Sequence, residues 1–143
     1  MSETPESLRS ITLTRTATGE YRAENGRGAT LDLGTGDTDR FTPVELLLVA
    51  IAGCSAVDVD FVTSRRAEPE GFVVRMEGHK DKDESGNHMR DLRLTFEVSF
   101  PEGEAGDAAR TVLPRAAQQS HDRLCTVSRT VERGTPIEVR ISD

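Results

Sequence analysis

Between Leu46 and Val57 the chain reads LLLVAIAGCSAV, and no other stretch is as apolar. A helix that is apolar all round belongs inside protein rather than on a surface. Its start is written in Thr42-Pro43-Val44-Glu45. Thr42 suits the N-cap, Pro43 the first helical position, and Glu45 closes a capping box. The pattern predicts a helix from residue 43 to about residue 66. Enclosing it takes more protein than a chain of 143 residues easily supplies. The expected arrangement is therefore a dimer in which the partner covers part of this helix.

Elsewhere the pattern is mostly one of alternation. Ile11 and Leu13 mark a first strand over about 8–16, and residues 1–7 read as a frayed end. The turn-rich TGEYRAENGRG (18–28) follows, then a short strand at Leu31 and Leu33 closed by the glycines of LGTG. Strands are predicted over 71–79 and 90–100, joined by the polar loop KDKDESGN (80–87). In the second of these, Leu92, Leu94, Phe96, Val98 and Phe100 share one face. Arg93, Thr95, Glu97 and Ser99 share the other, the signature of a half-buried strand in an antiparallel sheet. A helical stretch over about 104–124 is expected to break or kink near Pro114. A short helix after Cys125 ends at Gly134, and Ile137, Val139 and Ile141 alternate in a last strand. The predicted order is β-β-α-β-β-α-α-β, an α+β chain forming one domain over residues 1–143.

Composition narrows the function classes. Net charge is −7 with the basic residues scattered, which argues against nucleic acid or an anionic membrane as partner. The run at 46–57 is too short to span a bilayer. The opening MSETPESLRS has no apolar segment of the kind a signal peptide needs, so a cytoplasmic protein is expected. In that compartment two cysteines are more often reduced, catalytic or redox-active than a structural staple. The competing reading is two buried, inert thiols.

Those two cysteines are the candidate chemistry. Cys54 lies in the apolar run and Cys125 follows a polar helical stretch, SHDRLCTVSRT (120–130). On a helical wheel Cys54 shares its face with Leu47, Ala50, Ile51, Val57, Asp58 and Phe61. Burial and a nearby carboxylate both raise a thiol's pKa, so a reactive Cys54 needs a cation from elsewhere in the fold. Lysine is scarce, and arginine stays charged and offers a planar fork of donors. Arg22 and Arg27, in the Gly-rich turn region, are the candidates; an ordinary solvated arginine is the plain alternative for each. His79, His88 and His121 show no ligand spacing with the cysteines, so no metal and no cofactor is expected. The consecutive Ser120, His121 and Asp122 do not make a triad, whose members meet from separated positions.

FTPVELLLVAIAGCSAVDVDFV (41–62), followed by SHDRLCTVSRTVE (120–132), resembles the OsmC/Ohr family, and RGATLDLG (27–34) and the strand order are similar too. The resemblance implies an OsmC-like α+β fold: an antiparallel sheet around a long buried central helix, in an intertwined homodimer with two sites at the subunit interface. It implies reduction of organic hydroperoxides. Cys54 would attack the peroxide oxygen and become a sulfenic acid, Cys125 would resolve it as a disulfide, and a dithiol such as dihydrolipoamide would reduce the pair. An N-terminal arginine, Arg22 or Arg27, would hold the thiolate, and a glutamate at the start of the central helix would hold the arginine.

Three positions depart from the family's pattern. Val44 stands where peroxidase members have the glutamate, and the carboxylate comes one residue later, at Glu45. Thr126 follows the second cysteine where a proline is common. Neither Arg22 nor Arg27 aligns cleanly. The leading expectation is a cytoplasmic peroxidase for organic hydroperoxides. The alternatives are a non-catalytic binder of an apolar small molecule, favoured by Val44, and a redox sensor signalling through its disulfide.

Overall fold

The computed structural model describes residues 6–142, so most of the expected frayed end, 1–5, lies outside the described residues. The chain divides into two compact units, one ending at Leu47 and one beginning at Leu48.

The first unit is an antiparallel sheet of β1 (Ile11–Ala17), β2 (Glu20–Asn25) and β3 (Thr30–Leu33), in that order. Gly19, at φ 74°, makes the tight turn between β1 and β2 in a conformation that side chains resist. β2 corrects the sequence reading, which placed only turns over 18–28. EYRAEN has a single large apolar residue, Tyr21, so its alternation is faint. What makes it a strand is pairing on both edges, Leu13 with Ala23 on one side and Tyr21 with Leu33 on the other. The unit leads into α1 (Pro43–Thr63) through the expected capping box. Thr42 N donates to Glu45 Oε1 at 2.8 Å and Glu45 N donates to Thr42 Oγ1 at 3.2 Å.

In the second unit α1 is buried along one stripe, Ile51, Ser55, Val59 and Thr63, at the four-residue spacing of one helix face. Val49, Val57 and Phe61 stand 50%, 52% and 66% exposed. The enclosure expected of this helix is therefore not present in a single chain, which has too little protein to cover its other faces. The helix ends close to the expected residue 66, and although the apolar run 46–57 reads as too short to span a bilayer, the whole helix is by length and composition able to cross a membrane, a test that core helices also pass.

β4 (Gly71–Asp83) and β5 (Gly86–Ser99) form a long antiparallel hairpin. The polar loop expected over 80–87 is mostly strand. Lys80 pairs with Met89 and Asp83 with Gly86, while Asp83 Oδ1 accepts from the N–H groups of Ser85 and Gly86. An Asp side chain that satisfies its own turn lets the ladder run to the tip. On β5 the apolar face is half-buried at Leu94, Phe96 and Val98, and Phe96 meets Phe72 edge to face with centroids 6.4 Å apart.

α2 (Glu104–Gln119) continues through Pro114 instead of breaking there. The irregularity comes later, as a π-helical turn over Ser120–Leu124, before α3 (Thr126–Glu132). The last predicted strand is absent among the described residues: Ile137, Val139 and Ile141 are 82–96% exposed. A strand needs a second strand to take its backbone hydrogen bonds, and no described strand does so for 137–141. The architecture is α+β with antiparallel sheets and three α-helices, in the order β-β-β-α-β-β-α-α.

Candidate functional site

Cys54 and Cys125, 71 residues apart in sequence, meet in the second unit. Both are free thiols, and each sulfur is close enough to perturb the ionisation of the other. Cys54 is carried by α1, one residue before the buried stripe position Ser55, and is only partly buried. Cys125 is the N-cap residue of α3 and has no solvent exposure.

The two sulfurs have opposite surroundings. Burial pushes the Cys54 thiol above its ordinary pKa. The backbone N–H of Val127 opposes that, the neighbouring Cys125 adds to it, and the N–H of Thr126 opposes it weakly. Burial also acts against a Cys125 thiolate, but four donors outweigh it. These are the Ser128 hydroxyl, the Ser128 N–H, the Ser55 hydroxyl and the Cys54 thiol, and together they hold Cys125 below the ordinary thiol range. Ser128 Oγ lies 3.1 Å from Cys125 Sγ, and Ser128 N donates to the sulfur at 3.4 Å. Ser55 Oγ is buried with no hydrogen bond of normal geometry, and its hydroxyl is among the groups that lower Cys125. The two thiols are thus shifted in opposite directions, Cys54 up by burial and Cys125 down by its donors.

The backbone around Cys125 is fixed by the π turn. Cys125 N donates to Ser120 O at 2.7 Å. Ser120 Oγ donates to Asp58 Oδ2, also at 2.7 Å. His121 holds a carboxylate on each ring nitrogen, Asp122 at Nδ1 and Glu132 at Nε2, each at 2.9 Å. Ser120 Oγ thus turns to Asp58 while His121 and Asp122 pair with each other, and the three form no triad. Ser128, which contacts Cys125, also lines a cavity of about 440 Å³ that neither cysteine lines. Ile51, Met76, Leu94 and Phe96 give it apolar walls, and Ser128 and His121 lie at its polar side.

The remaining sequence candidates belong to the first unit. Arg22, on β2, grips Asp32 across the sheet with two hydrogen bonds of 2.7 and 3.2 Å. Arg27 lies in the following turn, where its backbone N–H donates to Asn25 Oδ1. Among the described residues its guanidinium is in no ion pair. Glu45 is occupied by the capping box rather than by an arginine. Among the described residues no three His, Cys, Asp or Glu side chains gather as a metal site.

Sequence reading missed Ser55 and Ser128, and weighed Ser120 only as a triad member. Only Ser128 carried a usable signal, since a residue three after an N-cap is placed to face it. Thr126 gains meaning too. A proline there would have no N–H, so this chain gives Cys54 a donor that a proline would remove.

Residues 34–140 match the model of the OsmC-like protein family. An uncharacterized protein of Mycobacterium tuberculosis is 30% identical over 131 residues, covering 90% of this chain and 93% of the relative. Among solved structures, an OsmC-like protein of unknown function from Vibrio cholerae aligns with a TM-score of 0.72 at 16% identity, over 88% of this chain and 94% of that one. The organic hydroperoxide resistance protein OhrB of Bacillus subtilis aligns at 0.56 with 17% identity, over 90% and 92%. At those identities the two structures speak for the fold.

Proposed function

The chain belongs to the OsmC-like family, and on that premise we propose that it is a thiol-dependent peroxidase reducing organic hydroperoxides in the cytoplasm. The observation that supports this most is the meeting of Cys54 and Cys125 as reduced thiols from distant elements. The name of the Bacillus subtilis neighbour points the same way. Cys54 is the nucleophile because it is the thiol with solvent access. Its thiolate attacks the outer peroxide oxygen, the O–O bond breaks, and the alkoxide leaves to be protonated to an alcohol, giving Cys54 sulfenic acid. Cys125 then attacks that sulfur and water departs as the disulfide forms. A dithiol reductant such as dihydrolipoamide restores both thiols and is itself oxidised to its disulfide. The apolar cavity beside Ser128 suits a greasy hydroperoxide better than hydrogen peroxide.

The raised pKa of Cys54 is the obstacle, and a cation is the remedy. Arg22 and Arg27 are the candidates, with Arg27 the one whose guanidinium, among the described residues, is in no ion pair. A homodimer is part of the proposal. Half-exposed Val49 and Val57, more exposed Phe61 and the bare Ile137, Val139 and Ile141 offer an apolar surface and an unpaired strand sequence for a second copy. The predicted consequence is that Phe61→Asp lowers the mass measured by light scattering from dimer to monomer at micromolar concentration. An unchanged mass would remove this face from the interface.

The direct test is consumption of cumene hydroperoxide and hydrogen peroxide with a dithiol reductant. Cys54→Ser should abolish turnover, and Cys125→Ser should permit one oxidation but no recycling. Full turnover by Cys125→Ser would sink its assigned role. One observation favours a second reading, a non-catalytic binder: Val44 stands at the helix start, and the nearby Glu45 carboxylate accepts from Thr42 N in the capping box. A co-purifying apolar ligand, with both thiols untouched by peroxide, would decide for it.

A further inference from the structure

Two hydrogen bonds converge on Ser120, a residue with no solvent exposure. Its hydroxyl donates to Asp58 Oδ2 at 2.7 Å, and its carbonyl accepts from Cys125 N at 2.7 Å. Asp58 sits four residues after Cys54 on α1, one turn along the same helix face. Two bonds therefore link the turn of α1 that bears Cys54 to the backbone of Cys125. The second of them is the five-residue bond that closes the π turn, an irregular geometry that an ordinary α-helical continuation of α2 would not produce. A regular helix would carry Cys125 round to a different angle, since each residue advances about 100°.

We propose that Asp58 and Ser120 are positioning residues that hold Cys125 against Cys54 and so set how readily the pair closes to a disulfide. The inference rests on reading the two cysteines as a redox pair. Closure with oxidised glutathione writes the step in full: two cysteine thiols and one glutathione disulfide give the Cys54–Cys125 disulfide and two glutathione thiols. Losing the tether lowers the effective concentration of one thiol at the other without touching either sulfur.

The test equilibrates the full chain in glutathione redox buffers and counts closed pairs by alkylation and mass spectrometry. Ser120→Ala, which removes only the donor, should lower the closure equilibrium constant about tenfold, raising the reduction potential by about 30 mV. Asp58→Ala should do the same. Asp58→Asn should restore the wild-type potential to within about 10 mV, because its amide oxygen still accepts from Ser120. If Asp58→Ala does not fold, Ser120→Ala alone carries the measurement. Potentials of Ser120→Ala and Asp58→Ala equal to wild type would overturn the proposal, as would Asp58→Asn behaving like Asp58→Ala. A wild-type chain that forms no Cys54–Cys125 disulfide at any glutathione ratio would instead remove the redox pair itself.

Discussion

The surroundings of Cys54 and Cys125 differ in the way that matters for a thiol. Cys54 sits part-exposed on an apolar helix and is reached by two backbone N–H groups. Cys125 is fully buried, yet it is met by Ser128, Ser55 and the other thiol. Burial works against the charged form at both sites, and the number and strength of the donors decides which way each thiol is shifted. The more exposed sulfur is thus the one held up, and the sulfur held down is shielded from solvent.

The largest expected effect tests exposure against charge. Iodoacetamide on the native protein should label Cys54 on the order of 100-fold faster than Cys125, because reaching Cys125 needs a local opening of about 3 kcal/mol. Labelling of Cys125 first, followed by peptide mass spectrometry, would break the comparison.

Next in size is Ser128→Ala. It removes the strongest donor to Cys125, so the thiolate absorbance near 240 nm should titrate at higher pH than in the wild type. A stability loss of about 1–2 kcal/mol should accompany it in urea unfolding. An unmoved titration would mean that Ser128 only packs.

His121 gives a smaller effect with a definite sign. Asp122 first and Glu132 second raise its pKa above 6.5, with the cations Arg129 and Arg133 lining the same surface hollow. A raised folded-state pKa stabilises fully below about pH 6.5 and fades as pH climbs through the folded value. The melting-temperature gap between wild type and His121→Gln should therefore be wider at pH 6 than at pH 8.5. It should correspond to less than about 1 kcal/mol, since all three groups are half-exposed. A gap that widens with pH would contradict the assignment.

The smallest change, Thr126→Pro, removes one weak N–H donor from Cys54 at a position where proline fits the first helical turn. Cys54 alkylation should slow by about twofold. Acceleration would mean that Thr126 opposes the thiolate.

Much of the fold was legible in the chain. The capping box at Thr42 and Glu45, the long apolar helix and the alternating face of β5 are local signals, and each formed where the pattern put it. β2 was not legible, because its strand is made by two neighbours rather than by its own residues. The hairpin tip was hidden for a related reason, since KDKDESGN looks like a loop until Asp83 caps its own turn. The strand expected over 137–141 is the reverse case, a clear pattern with no described strand to pair with.

By itself the sequence determined the family, the two thiols and the elements that carry them, because capping, periodicity and residue type act over a few neighbouring positions. Only the tertiary structure decided which sulfur is shielded and which donors reach it. Ser120, Ser55 and Ser128 matter through contacts made across elements, Ser120 to Asp58 over 62 residues of chain, and no short-range pattern encodes such a meeting.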